Sequence, residues 1–172
     1  MEILTRFDPA LALHCQRVAR LSRLIGGRLR LGDEALEELS FAGLAHDLGI
    51  IAVPKRILHK PRRLSDCEYD SVKLHVVAGV AIAQACGCGD WVLQVIRCHH
   101  ERLDGSGYPV GLGGAEIDLF SRIVAVADVY VAMTAPRPYR EAYLPEAALA
   151  ELNNHYKYDA DVVRALETVL AY

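Results

Sequence analysis

Apolar residues recur three and four positions apart along almost the whole 172-residue chain, and no segment sustains the apolar–polar alternation of a half-buried strand. A chain patterned in this way buries its apolar faces by packing helix on helix, so the expected fold class is all-α. Local signals divide the pattern into elements. Asp8-Pro9 reads as an N-cap followed by proline at the first helical position, opening a helix to about Leu31. Leu13, Val18, Leu21, Leu24 and Ile25 share its helical spacing. Gly32 ends it, and Asp33 can cap a second helix to about Leu48, with Leu36, Leu39, Leu44 and Leu48 inward. Residues 49–64 hold two prolines and five basic side chains without a period, which reads as a loop with short turns. Further helices are expected from Asp66 (as cap) to Lys73, from His75 to Ala85, and from Trp91 (capped by Asp90) to about Arg102. Others should run from Leu119 to about Ala135, from Pro145 to about Asn154 and from Asp159 to Ala171, seven or eight in all. No linker composition interrupts them, so residues 1–172 are read as one domain.

Composition narrows the function classes. With 52% hydrophobic residues and mean hydropathy of +0.15, the chain can bury a substantial core. A net charge of -3 and pI near 6.1 argue against polymeric nucleic acid as a partner. The most apolar run, from Ile123 to Ala135, has Asp128 within it, so no membrane span is expected. The N-terminus lacks the basic start, apolar run and small-residue cleavage site of a signal peptide. Five cysteines, with no CxxC pair, fit reduced thiols in the cytoplasm better than a disulfide framework or zinc knuckle. Cys98 reads as a small core residue.

Candidate chemistry lies where polar residues interrupt apolar faces. His46-Asp47 ends an apolar helix in GLAHDLG, and Asp128 sits within IVAVADVYVAM. A buried carboxylate without a partner costs several kcal/mol, so Asp128 requires a cation or several donors. His99-His100 closes another apolar helix, His75 opens one, and His14 lies among apolar neighbours in the first. A lone histidine in such a place is ordinarily a hydrogen-bonded core residue, but five of the seven histidines fall in apolar contexts or at helix ends. Adjacent helical residues point about 100° apart, so the two dipeptides address two neighbouring ions more readily than one, with a carboxylate bridging. Mixed imidazole and carboxylate ligands suit iron, manganese, zinc or nickel. Paired ions of this type clamp the in-line attack at phosphorus. The residues alone therefore point to a metallophosphohydrolase.

The run from His99 to Pro109, HHERLDGSGYP, resembles the HHExxDGxGYP signature of the HD-GYP family at every fixed position. The resemblance extends through DPxxxxHxxRVA from Asp8, GLAHDLG, VPxxILxKPxxL from Val53, the His75 segment, RIVAVADVY, RPYR and a late YDA. It implies an HD-domain-like helical bundle with the glycine-rich GYP loop beside a metal site, and hydrolysis of cyclic di-GMP, mainly to linear pGpG. One ion would be held by His14, His46, Asp47 and Asp128, and a second by Asp47 as bridge with His75, His99 and His100. Iron or manganese is the implied metal, with zinc or nickel as further candidates. Asp47, His46 and Asp128 would be catalytic, while Gly107 and Tyr108, at the site mouth, and Arg137 and Arg140, facing the substrate phosphate or guanine, would bind the substrate. A regulatory protein, for example a cyclic di-GMP synthase domain, is a candidate partner.

Four positions depart from the family pattern. Ala10 stands where members with three metals have Glu, so a third ion should be missing. Ile50 replaces the lysine of HDxGK, Val131 an aspartate three residues after Asp128, and Pro136 an acidic residue. An apolar Ile50 cannot donate to a phosphate oxygen. The alternative function is thus a weak or inactive domain that binds metal or nucleotide as a sensor or protein-interaction module. Lys55, Arg56, Lys60, Arg62 and Arg63 read as a solvated loop face, and His59 and His155 as surface residues. Tyr139 and Tyr143 could stack a guanine or simply pack.

Overall fold

Residues 2–136 and 141–171 are described in the computed structural model. They form helices α1 (Glu2–Phe7), α2 (Pro9–Arg28), α3 (Asp33–Ala45), α4 (Lys55–Leu58), α5 (Asp66–Lys73), α6 (His75–Ala85), α7 (Asp90–Cys98), α8 (Leu119–Thr134), α9 (Pro145–Leu152) and α10 (Ala160–Leu170). Two 3-10 turns, Leu48–Ala52 and Gly114–Glu116, complete the regular structure. No strand occurs among the described residues; the nearest approach is one isolated bridge between Asp104 and Gly113. The fold is the all-α bundle that the periodicity implies.

Its main core joins α2, α3, α8, α9 and α10. Val18, Ile25, Leu39, Ile123, Val124, Val126, Leu152, Val162 and Leu166 are fully buried there. Helix α8 lies at the centre, with eight buried residues including Asp128. Burying a large aliphatic side chain contributes about 1.5–3 kcal/mol, so α8 is the element on which the others assemble. A second cluster, Ala83, Val92 and Ile96, packs α6 on α7.

Several boundaries differ from the sequence reading. Helix α2 begins as expected, with the Asp8 carboxylate accepting from the amides of Ala10 and Leu11. The caps of α3, α5 and α7 fall one residue earlier than the aspartates, at Gly32, Ser65 and Gly89. Asp33, Asp66 and Asp90 occupy the first turn, where their charge favours the positive end of the helix dipole. Leu13 and Leu24 are exposed (47% and 46%), on the outer face of α2. Leu39 is buried, but Leu36, Leu44 and Leu48 are only half-buried. Helix α7 stops at Cys98 rather than near Arg102, because the chain turns there to carry the histidine pair inward. The basic loop is not uniformly solvated. Lys55 donates to the Phe7 carbonyl at 2.7 Å and lies over the Phe7 ring, while Lys60 pairs with Glu68. Arg56, Arg62 and Arg63 are exposed, as are His59, His155 and Tyr143.

One close approach sets the site's geometry. The turn after Asp47 presses directly on the first turns of α6. A Cβ on Gly49 would lie 1.9 Å from the His75 carbonyl oxygen and 2.4 Å from the Gly79 amide nitrogen, so only glycine lets the two segments meet. That contact brings His75 to Asp47.

Candidate metal centre

Seven side chains from five helices and their ends converge. His14 projects from α2, His46 and Asp47 follow the last turn of α3, and His75 starts α6. His99 and His100 follow α7, and Asp128 comes from the middle of α8. The structure thus brings together every histidine and aspartate singled out in the sequence. Asp47 stands at the centre with its two oxygens facing different histidines. Its Oδ2 lies 3.4 Å from His46 Nε2 and 3.8 Å from His14 Nε2. Its Oδ1 lies 3.4 Å from His75 Nε2 and 3.9 Å from His99 Nε2. Asp128 Oδ1 is 3.0 Å from His14 Nε2 and 3.9 Å from His46 Nε2. Two groups of donor atoms result, each within 4.8 Å: Asp47, His75, His99 and His100, and His14, His46 and Asp128.

The backbone prepares these rings. Nδ1 of His46, His75 and His99 bonds the carbonyls of Gly43, Val72 and Ile96, at 2.8, 2.7 and 2.9 Å. Each ring sits three residues after its acceptor. A carbonyl can only accept, so in the neutral ring Nδ1 carries the proton and Nε2 keeps its lone pair. All three Nε2 atoms are buried without a hydrogen-bond partner. Buried polar atoms are seldom left unmet, and three convergent lone pairs aimed at carboxylates fit a divalent cation. The carboxylates call for a positive charge at His46 Nε2, which a proton or a metal ion can supply. Burial opposes a charged His46, yet Asp47 and Asp128 outweigh it and raise its pKa to about 9. Burial likewise works against the Asp47 charge, but the surrounding histidines, His46 first, hold its carboxyl well below the ordinary range. His99 and His100 are pushed well below 6.5, chiefly by burial and then by their neighbouring histidines. His99 and His100, neutral beside ionised carboxylates, are in the protonation states that a metal requires, and at His46 a metal would take the place of a proton.

The glycine-rich loop is fastened to this cluster. Glu101, 2% exposed, accepts from the amides of Val110 (2.8 Å), Gly111 (3.1 Å) and Leu112 (3.1 Å). Gly107 meets the backbone of the histidine pair: a Cβ there would lie 2.4 Å from Glu101 Cα and 2.5 Å from the His100 carbonyl oxygen. Tyr108 consequently stacks on His100, with centroids 4.6 Å apart and planes 27° apart. Arg102 donates to the His99 and Glu101 carbonyls and lies over the Tyr158 ring. Asp159 caps α10 and pairs with Arg122 at 2.9 Å, so the YDA segment braces the histidine pair from behind.

Sequence reasoning missed three contributors. Glu101 was quoted only within a motif; its partners are nine to eleven residues ahead in the chain, and its adjacency to a glycine-rich loop was the available signal. Cys15, one residue after His14, brings its thiol to His46 and Asp47, and burial followed by the charge of Asp47 holds that thiol protonated. Tyr158 supports Arg102 across a long sequence separation. Cys98 is buried and free, a core residue as expected. Arg137, Arg140 and Tyr139 lie outside the described residues. Ile50 is half-buried in the turn after Asp47. Ala10 is exposed in the first turn of α2 and offers no ligand atom. No helix among the described residues is long and apolar enough to cross a membrane.

Comparison with known proteins is consistent with this geometry. A family model described as "HD domain" matches residues 1–162. A 3'3'-cGAMP-specific phosphodiesterase of Vibrio cholerae is 45% identical over 127 residues, covering 74% of this chain and 30% of the relative. A cyclic di-GMP phosphodiesterase of Pseudomonas aeruginosa is 40% identical over 157 residues, 89% of this chain and 37% of the relative. The chain spans about a third of the length of these curated relatives. Among solved structures, an HDG"Y"P protein of Bdellovibrio bacteriovorus superposes with a TM-score of 0.78 at 21% identity, over 94% of this chain and 52% of that one.

Proposed function

The chain belongs to the HD domain family, in its HD-GYP branch, and from that membership we propose that it is a metal-dependent phosphodiesterase that opens cyclic di-GMP, mainly to linear pGpG. The observation that carries the reading is Asp47, whose two oxygens each face a separate pair of histidines. That is the disposition of a carboxylate shared between two ions. On this reading His14, His46, Asp47 and Asp128 hold one ion, and Asp47, His75, His99 and His100 the other. Iron or manganese is the metal that the family resemblance implies, and the mixed imidazole and carboxylate ligands suit zinc or nickel as well. Bound there, the ions would supply an activated water and neutralise charge developing on the phosphate.

The chain's own groups do the remaining work. Backbone carbonyls fix the tautomer and tilt of three histidines, so little reorganisation is needed when phosphate arrives. Gly107 and Tyr108 meet the substrate at the mouth, and Arg137 and Arg140 bind its phosphate or a guanine edge. Charge-assisted contacts of that kind contribute about 1.5–3 kcal/mol each, so Arg137→Ala should weaken binding by roughly tenfold or more. Residues 1–172 are taken as one domain acting in the cytoplasm, with a regulatory protein such as a cyclic di-GMP synthase domain as a candidate partner. The relative named for cGAMP makes that dinucleotide the first competitor to assay. A second reading, a domain that binds metal and nucleotide without turnover, draws on the apolar Ile50 beside Asp47.

Elemental analysis of protein purified under reducing conditions tests the site. We expect about two transition-metal ions per chain. Asp47→Ala should lose both, whereas His75→Ala should keep the ion held by His14, His46 and Asp128. Less than half an ion per chain after iron or manganese loading would remove the assignment.

A further inference from the structure

Lys73 is the last residue of α5, two positions before His75. Its ammonium stands 5.2 Å from the centroid of the Tyr69 ring and 5.8 Å from that of Tyr108. Tyr108 in turn stacks on His100. A run of contacts therefore leads from the histidine cluster to a cation framed by two aromatic rings. Among the described residues its ion-pair partner is Asp70, 2.7 Å away on the same helix and 66% exposed. Tyr69 is 48% exposed and the Lys73 side chain 34%, so both side chains are within reach of a solute.

This combination has a chemical preference. A compact ammonium recognises phosphate as a point charge. An exposed aromatic ring supplies a face on which a planar base can stack, and such stacking is tolerant of base identity. A ligand that is anionic at one end and planar at the other satisfies both at once. The turn after Asp47 supplies no cation at position 50, where Ile50 stands, whereas the Lys73 ammonium lies 5.8 Å from the ring of Tyr108, which stacks on His100. We propose that Tyr69, Lys73 and Tyr108 form a nucleotide subsite beside the metal centre, holding a base and phosphate from the half of the cyclic dinucleotide that is not being cut. The inference rests on the phosphodiesterase reading above.

The Lys73–Asp70 pair provides a test with opposite signs. Lys73→Met and Asp70→Asn both abolish the pair, so a purely structural role moves both variants in the same direction. If the ammonium binds phosphate, removing it weakens the ligand, while removing its competing carboxylate tightens it. Binding of a phosphorothioate analogue of cyclic di-GMP to metal-loaded protein, which avoids turnover, measures both. Lys73→Met should raise Kd by about tenfold, the equivalent of one charge-assisted contact. Lys73→Arg should restore it to within about threefold, Tyr69→Leu should weaken it several-fold, and Asp70→Asn should lower Kd by about twofold or more. Metal content, measured in parallel, should not change. Shifts of the same sign for Lys73→Met and Asp70→Asn, or no shift in either, overturn the subsite while leaving the phosphodiesterase reading in place. A wild-type protein that carries its metals yet binds neither the analogue nor cyclic di-GMP overturns both.

Discussion

Glu101 shows how one residue can organise a site without touching a ligand. Its carboxyl group gathers three successive amides of the loop at 110–112, and the loop in turn sets Tyr108 on His100. Glu101→Ala leaves those amides without their acceptor, at a cost of about 2 kcal/mol or more. Glu101→Gln should retain part of that stability, because its amide presents one acceptor oxygen and one donor to a set of donors. Denaturant melts of the two variants measure this, and equal stability of Glu101→Ala and wild type would contradict the anchoring role. Ile50 offers the converse experiment. Ile50→Lys places an ammonium beside Asp47, where one donor aimed at developing charge is typically worth about 10²–10³ in rate. Burial and neighbouring positive charge reduce that, so a gain of about tenfold in turnover is expected at unchanged metal content. A silent wild type that stays silent as the lysine variant would favour the binding-module reading. The ligand residues were legible because each is a polar side chain in a segment otherwise patterned for burial. Glu101 was less so, because its partners are backbone amides, which leave no mark in residue types beyond the glycines of the adjacent loop.

At the scale of elements, helix type was legible and helix ends were less so. His75–Ala85 appears with the expected limits, and α5 ends at Lys73 as expected but begins one residue early, capped by Ser65. Helices α1 and α4, of six and four residues, were missed because one turn or so of helix has too few positions to establish a period. They form through tertiary contacts, among them Lys55 with Phe7. Helix α5 carries a pH-sensitive N-terminus. Ser65 and Glu68 form a capping box, and Glu68 also binds Lys60 at 2.5–2.6 Å. The Lys60 ammonium, then the Ser65 amide, lower the Glu68 pKa to about 2. A carboxyl depressed in the folded state contributes stability that is complete above its unfolded value, about 4.5, and disappears as pH falls through about 2. The Glu68 carboxyl carbon, followed by NMR, should therefore titrate near 2. Titration near 4.5 would show that the cap and the ion pair do not form.

On the scale of the whole molecule, five separate helical segments supply the seven side chains, and the core decides how they meet. Asp128 reaches the others because α8 is buried on nearly every side. His75 reaches Asp47 because Gly49 allows the turn after α3 to press against α6. The list of candidate ligands could be read from apolar context and from resemblance, but their grouping depends on contacts between residues tens of positions apart. Such contacts leave only glycines as traces in the sequence. The side-chain tautomers, fixed by carbonyls three residues earlier, required coordinates. At all three levels the observations support the proposal that the Asp47-centred cluster is a metal-dependent catalyst of cyclic dinucleotide hydrolysis. Anaerobic turnover by the metal-loaded protein, with cyclic di-GMP and cGAMP assayed side by side and pGpG resolved from GMP, tests it most directly. The account predicts metal-dependent cleavage of cyclic di-GMP that accumulates pGpG and is abolished in Asp47→Ala. A protein carrying its full metal complement that cleaves neither dinucleotide would contradict it.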